Sequence, residues 1–149
     1  MYDSFFLEAL NSVVEDLRQL GLPGLDSTDI KVRRLPTDGE VYHKGISVHP
    51  VTEIYDDGTN MREDIGYGCG ITMVVNNNNN QLYLLDRLLR WREMIRRHFV
   101  EKTVLQVMTT LCQIKVEHGP VLDIGELIKR NNYDVSTMVI RVWSRETRS

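Results

Sequence analysis

A chain of 149 residues is long enough to bury a real hydrophobic core, and its net charge of −3 supplies no global pull toward nucleic acid or an anionic membrane. No apolar run approaches the ~20 residues that span a bilayer. The Met-Tyr-Asp-Ser start lacks the basic and apolar regions of a signal peptide, so a soluble intracellular protein, or one released by lysis, is expected.

The first predicted element is an amphipathic helix. Phe6, Leu10, Val13, Leu17 and Leu20 recur at three- and four-residue steps, with Glu8, Asn11, Glu15, Asp16 and Arg18 on the remaining surface. Asp3 or Ser4 can cap its start, and Gly21 and Pro23 end it. A short basic strand is expected over Ile30–Leu35, followed by a turn at Pro36-Thr37-Asp38-Gly39. Ile46 to Tyr55 alternates apolar and polar residues, and Pro50 within it predicts an edge position or a bulge, because proline cannot donate to the ladder. Asp56-Asp57-Gly58 reads as a hairpin loop.

The strand from about Ile65 to Val75 is the most unusual. Ile65, Tyr67, Cys69, Ile71 and Met73 share one face, while Gly66, Gly68 and Gly70 leave the other nearly bare. Bare backbone permits close approach of another element or another subunit. Five asparagines, Asn76 to Asn80, then break the chain, and Asn79 or Asn80 is the expected cap of a second helix. Its apolar stripe is Leu84, Leu85, Leu88, Trp91, Ile95 and Phe99. A strand follows at Thr109–Val116 with Cys112, Ile114 and Val116 on one face, ended by Glu117-His118-Gly119-Pro120. Asp123–Arg130 is expected to form one or two helical turns. The last strand, Tyr133–Ser144, is apolar on both faces, with Val135, Val139 and Trp143 on one and Met138, Ile140 and Val142 on the other. Such a strand is expected to be central or covered on both sides. These elements predict one α+β domain over 1–149: a mixed, mainly antiparallel sheet of four to five strands packed against two main helices.

Chemistry-bearing motifs are few. The glycines lie within a strand, and no Gly-Lys-Ser/Thr precedes the following helix, so they do not form a phosphate loop. His43, His49, His98 and His118 show no zinc spacing with one another or with the cysteines, so no metal and no cofactor are expected. Cys69 and Cys112 read as buried free thiols, since a bridge requires neighbouring strands of suitable geometry. Ser136, Thr137 and Ser144 lie on a strand rather than a nucleophile elbow, and His118 with Glu117 has no nucleophile beside it. Gln113-Ile114-Lys115 is similar to half of a metal-dependent nuclease motif, but the aspartate that chemistry needs on the preceding hairpin strand is missing.

Charge is concentrated on the second helix, where Arg87, Arg90, Arg92, Arg96, Arg97 and His98 face only Asp86 and Glu93. Three readings stay open. The helix is a solvated face with Asp86–Arg90 and Glu93–Arg97 pairs. Or it meets acids of another subunit, such as Glu8, Glu15 and Asp16 or Asp56 and Asp57. Or it binds DNA phosphates.

The order of elements resembles that of tail-terminator and tail-completion (neck) proteins of tailed phages. The resemblance is carried by a first helix at Ser4–Leu20, a long hairpin at Ile46–Val75, a second helix at Gln81–Val100 and closing strands at Thr109–Val116 and Tyr133–Arg145. The phrases Val116-Glu117-His118-Gly119-Pro120 and Asn132-Tyr133-Asp134-Val135-Ser136 look like the closing strands of prophage-type neck proteins. The resemblance implies a structural, non-enzymatic virion protein that forms a hexameric ring at the head–tail junction. It implies the tail tube protein and a head-completion protein as partners, and the host cytoplasm as the place of assembly. The interface residues expected on this reading are the five arginines, Asp56, Asp57, Gly66, Gly68 and Gly70.

Overall fold

The computed structural model describes residues 3–34, 44–56, 62–77, 79–123 and 133–147. The turns expected at Pro36–Gly39 and Asp57–Gly58, and the helical turns expected beyond Asp123, lie outside these residues.

Helix α1 spans Phe5–Gln19 and starts where the Leu7 amide donates to Ser4 Oγ at 3.3 Å. It buries Ala9, Leu10, Val13, Val14 and Leu17. Gly21 then turns the chain at φ +67°, a left-handed conformation that costs glycine little. A short 3-10 turn, Ser27–Asp29, leads into strand β1, Ile30–Val32. Strands β2, Lys44–Asp56, and β3, Arg62–Asn76, form the long hairpin. Helix α2 spans Leu82–Lys102, followed by β4, Val104–Val107, β5, Thr110–His118, and β6, Tyr133–Thr147.

The sheet has six strands in the order β1-β2-β3-β6-β5-β4. Only β1 and β2 run parallel; the other neighbours are antiparallel. The expected four to five strands therefore become six. The added strand is β4, which follows α2 with no glycine or proline between them. Thr103 ends the helix at φ +61°, and Met108 begins the turn into β5 at φ +56°. Both conformations usually announce themselves as glycine, asparagine or aspartate, and here they do not.

Pro50 marks a bulge, with the β2–β3 register slipping between Pro50 and Glu53. Strand β6 lies between β3 and β5, as its two apolar faces predict. Both helices pack on one side of the sheet. Ile65, Tyr67, Cys69, Ile71 and Met73 of β3, with Met138, Ile140 and Val142 of β6, meet Leu10, Val13 and Leu17 of α1 and Leu88, Trp91, Ile95 and Phe99 of α2 in one core. Phe5 and Phe6 close its end against the Tyr67 ring, at centroid distances of 5.3 and 5.0 Å. Leu84 and Leu85, expected on the buried stripe, are half-buried at its margin. The cap of α2 also differs from expectation. Gln81 occupies the cap position, and its amide donates to Asn77 Oδ1 at 2.7 Å, so Asn77 rather than Asn79 or Asn80 closes the helix start.

Cys69 and Cys112 are free and buried. Strand β6 separates theirs, and register puts Val116 rather than Cys112 across from Cys69, so they lie more than roughly 10 Å apart, beyond bridging reach. Burial pushes the Cys69 thiol up to about 12, so it stays protonated and inert at neutral pH.

Candidate functional site

The helix-free face of the sheet carries the glycine track. Register places Gly66 beside Trp143, Gly68 beside Arg141 and Gly70 beside Val139 of β6. The space over the glycines is filled from within the chain. A β-carbon on Gly68 would stand 2.7 Å from Arg141 Nη1 and 3.0 Å from the Thr52 carbonyl oxygen. One on Gly70 would stand 2.5 Å from both His49 Cε1 and Val51 Cγ2. One on Gly66 would meet Arg141 and Trp143. Gly66, Gly68 and Gly70 are buried, and the close approach there is made by neighbouring strands of this chain.

Arg141 uses that space to lie flat across four strands. Its Nη1 donates to Thr52 Oγ1 at 2.9 Å and to the Thr52 and Gly66 carbonyls at 3.1 and 3.2 Å. Its Nε and Nη2 grip the two Glu117 carboxylate oxygens at 3.0 and 2.8 Å. This forked pairing fixes geometry as well as charge. The Arg141 hydrogen bonds hold the Glu117 carboxyl below its ordinary pKa. Nothing in the sequence singles Arg141 out from other strand arginines. The glycines on the adjacent strand were the signal, because a bare track makes room for a side chain laid over it.

His49 sits on the same face, its ring over Gly70 and its Nε2 2.9 Å from Thr72 Oγ1. Burial lowers its pKa. The two groups give stability a pH dependence with a definite sign. For Glu117 the folded pKa lies below the unfolded one, so its contribution is complete above the ordinary value of 4.5 and is lost as pH falls through the folded value. For His49 the unfolded chain takes up the proton first, so stability declines as pH falls below the ordinary value of 6.5. Urea midpoints measured across this range are expected to fall in two stages on acidification. His49→Gln is expected to flatten the upper stage and Glu117→Gln the lower. A midpoint independent of pH across both windows would show that neither group is coupled to folding.

The five arginines of α2 do not form one basic face. Arg92 is buried, 7% exposed, and points to the sheet. Its Nη1 donates to Ser136 Oγ at 2.9 Å and to the Pro120 and Thr137 carbonyls, and its Nη2 to the Gly119 carbonyl at 2.9 Å. Arg92 thus staples the helix to strand β6 and to the residues after β5, with its side chain turned away from the exposed helix face. Burial and the nearby Arg96 lower its pKa from the usual value. Arg87 and Arg96 are half-buried, and only Arg90 and Arg97 are exposed. They share that outer stripe with Asp86, Glu93 and Glu101, which cancels a positive face. The expected Asp86–Arg90 and Glu93–Arg97 pairs are not among the ion pairs of the described residues.

The acids suggested as subunit partners also find partners inside the chain. Asp16 Oδ2 lies 2.6 Å from Lys102 Nζ and 3.0 Å from His98 Nε2, tying α1 to α2. Glu15 pairs with Arg18 at 3.1 Å. Asp56 is exposed at the end of β2, and Asp57 lies outside the described residues. Gln113 and Lys115 are exposed on β5, and the preceding hairpin strand is β4, Val104-Leu105-Gln106-Val107, which carries no acid to complete a nuclease motif.

Among the described residues, open grooves lie at both ends of the hairpin. One is lined by Asp56, Asp64, Leu111, Gln113, Trp143 and Arg145 at the far end of the hairpin. The other lies at the opposite end, lined by Lys44, Asn76, Asn79, Gln81, Arg87 and Trp91. Among the described residues no group of histidine, cysteine and carboxylate side chains is arranged to hold a metal. No described helix is long and apolar enough to cross a membrane.

No protein-family model and no curated protein matches the chain. Among solved structures it matches a chain described as virion of native gene transfer agent (GTA) particle, with a TM-score of 0.51 and 9% sequence identity, over 92% of this chain and 94% of that one. At that identity the likeness is one of fold, and it runs nearly end to end: this chain is built like a protein found in a gene transfer agent virion.

Proposed function

We propose that the protein is a structural subunit of a phage-like virion, working at the tail end as a tail-terminator or neck protein that forms a ring. The observation that carries the reading is the end-to-end fold likeness to a chain of a gene transfer agent virion. The side chains support it. The buried polar groups Arg92 and Arg141 are spent on holding the sheet together, and the two thiols are buried and protonated. On this reading the protein is not an enzyme. Its partners are further copies of itself, the tail tube protein and a head-completion protein, and its place is the virion after assembly in the host cytoplasm. Hexameric closure is part of the proposal, since heterologous contacts close into rings when the rotation allows.

The test is location. Mass spectrometry of purified particles is expected to find the chain at a few copies per particle, and immunolabelling is expected to place it at the tail end. Deleting the gene is expected to give tails of irregular length or tails without heads. Absence from particles, with normal tails after deletion, ends the reading.

A further inference from the structure

The groove at the far end of the hairpin has an aromatic floor and a polar rim. Register puts Gly66 of β3 and Gln113 of β5 on either side of Trp143 of β6. The indole lies over the bare backbone of Gly66: a β-carbon there would stand 3.0 Å from both Trp143 Cζ2 and Trp143 Cη2. The Arg141 stem fills the next position, its Cδ 2.8 Å from the same point. Arg141 is itself anchored to Thr52 and Glu117, so the ring rests on fixed neighbours. The rest of the ring lines the groove. Trp143 Nε1 makes no hydrogen bond among the described residues, and none of their buried side-chain polar atoms lacks a partner, so this N–H opens to solvent. Trp91, the other tryptophan, spends its N–H on the Pro23 carbonyl.

The next row of the same face supplies the rim. Asp56, Asp64 and Arg145 stand side by side on β2, β3 and β6. Arg145 Nε donates to Asp64 Oδ1 at 3.1 Å, and the guanidinium stays exposed. Asp56 and Gln113 are exposed on opposite walls. The groove has a volume of about 470 Å³, the scale of small-ligand sites. A fixed aromatic ring beside carboxylate, amide and guanidinium groups matches one ligand chemistry. A pyranose sugar has a C–H-rich face, which packs on the negative face of an aromatic ring, and a rim of hydroxyls. Each hydroxyl both donates and accepts, so it pairs with any of the three rim groups. Nucleotides fit worse, because their phosphates would meet two carboxylates against one guanidinium that is already paired. An apolar ligand would cut the charged rim off from water without replacing its hydrogen bonds.

We propose that this groove binds a neutral sugar ring, stacked on Trp143 and held at its hydroxyls by Asp56, Gln113 and the Asp64–Arg145 pair. The site goes beyond the virion reading and does not depend on it. Binding is insensitive to salt, because the ligand carries no charge to screen.

Fluorine-19 NMR of the full chain labelled with 5-fluorotryptophan tests it. The two tryptophans give separate resonances, assigned with Trp91→Phe and Trp143→Phe. Maltohexaose, cellohexaose and N-acetylated chitohexaose, which cover axial and equatorial linkages and an N-acetyl group, are titrated to millimolar concentration. The Trp143 resonance is expected to move and saturate with at least one of them, while that of buried Trp91 stays fixed. Asp56→Ala and Gln113→Ala alter exposed side chains and are expected to leave the circular dichroism spectrum unchanged. Asp56→Ala is expected to weaken binding about tenfold, the usual effect of losing one charged hydrogen bond. No saturable shift with any of the three sugars overturns the proposal. A shift that Asp56→Ala and Gln113→Ala both leave equally strong overturns it too, since the rim then plays no part. A Trp143 shift with arginine amide and none with sugars gives the groove to cations. A shift that grows with protein concentration alone gives it to a second copy of the chain. Either of these last results overturns the proposal as well.

Discussion

Trp91→Ala is expected to destabilise the protein by about 3–5 kcal/mol, the usual cost of truncating a fully buried large aromatic. Trp91 is 0% exposed and sits mid-helix, where α2 meets the sheet. Its indole also ties the helix to the connector after α1 through the Pro23 carbonyl. The substitution therefore removes both packing and a link between elements distant in sequence. Natural domains hold only ~5–15 kcal/mol in total, so the variant is expected to sit close to unfolding at ordinary temperature. Urea denaturation followed by circular dichroism measures the loss. Trp91→Phe separates the two contributions, because it keeps most of the volume and drops the N–H donor; its cost is expected to be smaller by several-fold. A loss below about 1 kcal/mol for Trp91→Ala is incompatible with a core position.

The second large effect is expected at the glycine track. Gly68→Val is favoured by strand propensity, since valine is among the best strand formers and glycine among the worst. The structure reverses the sign. The added β-carbon would stand 2.7 Å from Arg141 Nη1 and 3.0 Å from the Thr52 carbonyl, and the second contact is backbone that cannot swing aside. Overpacking together with displacement of a buried guanidinium from Thr52 and Glu117 is expected to cost about 2–5 kcal/mol. A double-mutant cycle identifies the cause. In an Arg141→Ala background the cost of Gly68→Val is expected to shrink, because the main obstruction is gone. Equal costs in both backgrounds would show that Arg141 is not what the glycine accommodates. A stable Gly68→Val protein would leave the alternating glycines without a packing role.

The same residues show why the arginine-rich helix misled. By residue type alone, Arg92 looks like Arg90 or Arg97. On the helix wheel, however, it lies between Phe99 and Leu85, and a long side chain leaving that position reaches the sheet. What it finds there is four neutral oxygens, two from Gly119 and Pro120 after β5 and two from Ser136 and Thr137 of β6, 27 to 45 positions further along the chain. Charge counting along one helix cannot register partners that the chain brings up later.

Periodicity alone determined much of this protein. The burial of α1 and α2, the two-sided apolar character of β6 that makes it central, the apolar face of β3 and the bulge at Pro50 all follow from side-chain alternation and from what proline and glycine permit. The distance between the two cysteines also follows once β6 is known to lie between their strands. Tertiary structure decided the rest. Strand β4 exists because Thr103 and Met108 adopt left-handed backbone that neither residue signals, a conformation the surrounding sheet imposes. Arg141 became the clasp of four strands because β6 inserts between β3 and β5 and puts its guanidinium between Thr52 and Glu117. Lys44 and Arg87 became neighbours because both converge on Gly24, a residue far from either in sequence. Local pattern depends on the spacing of residues along the chain, which is written in the sequence. Constellations depend on which strands and loops lie side by side, and that is settled only when the whole core packs.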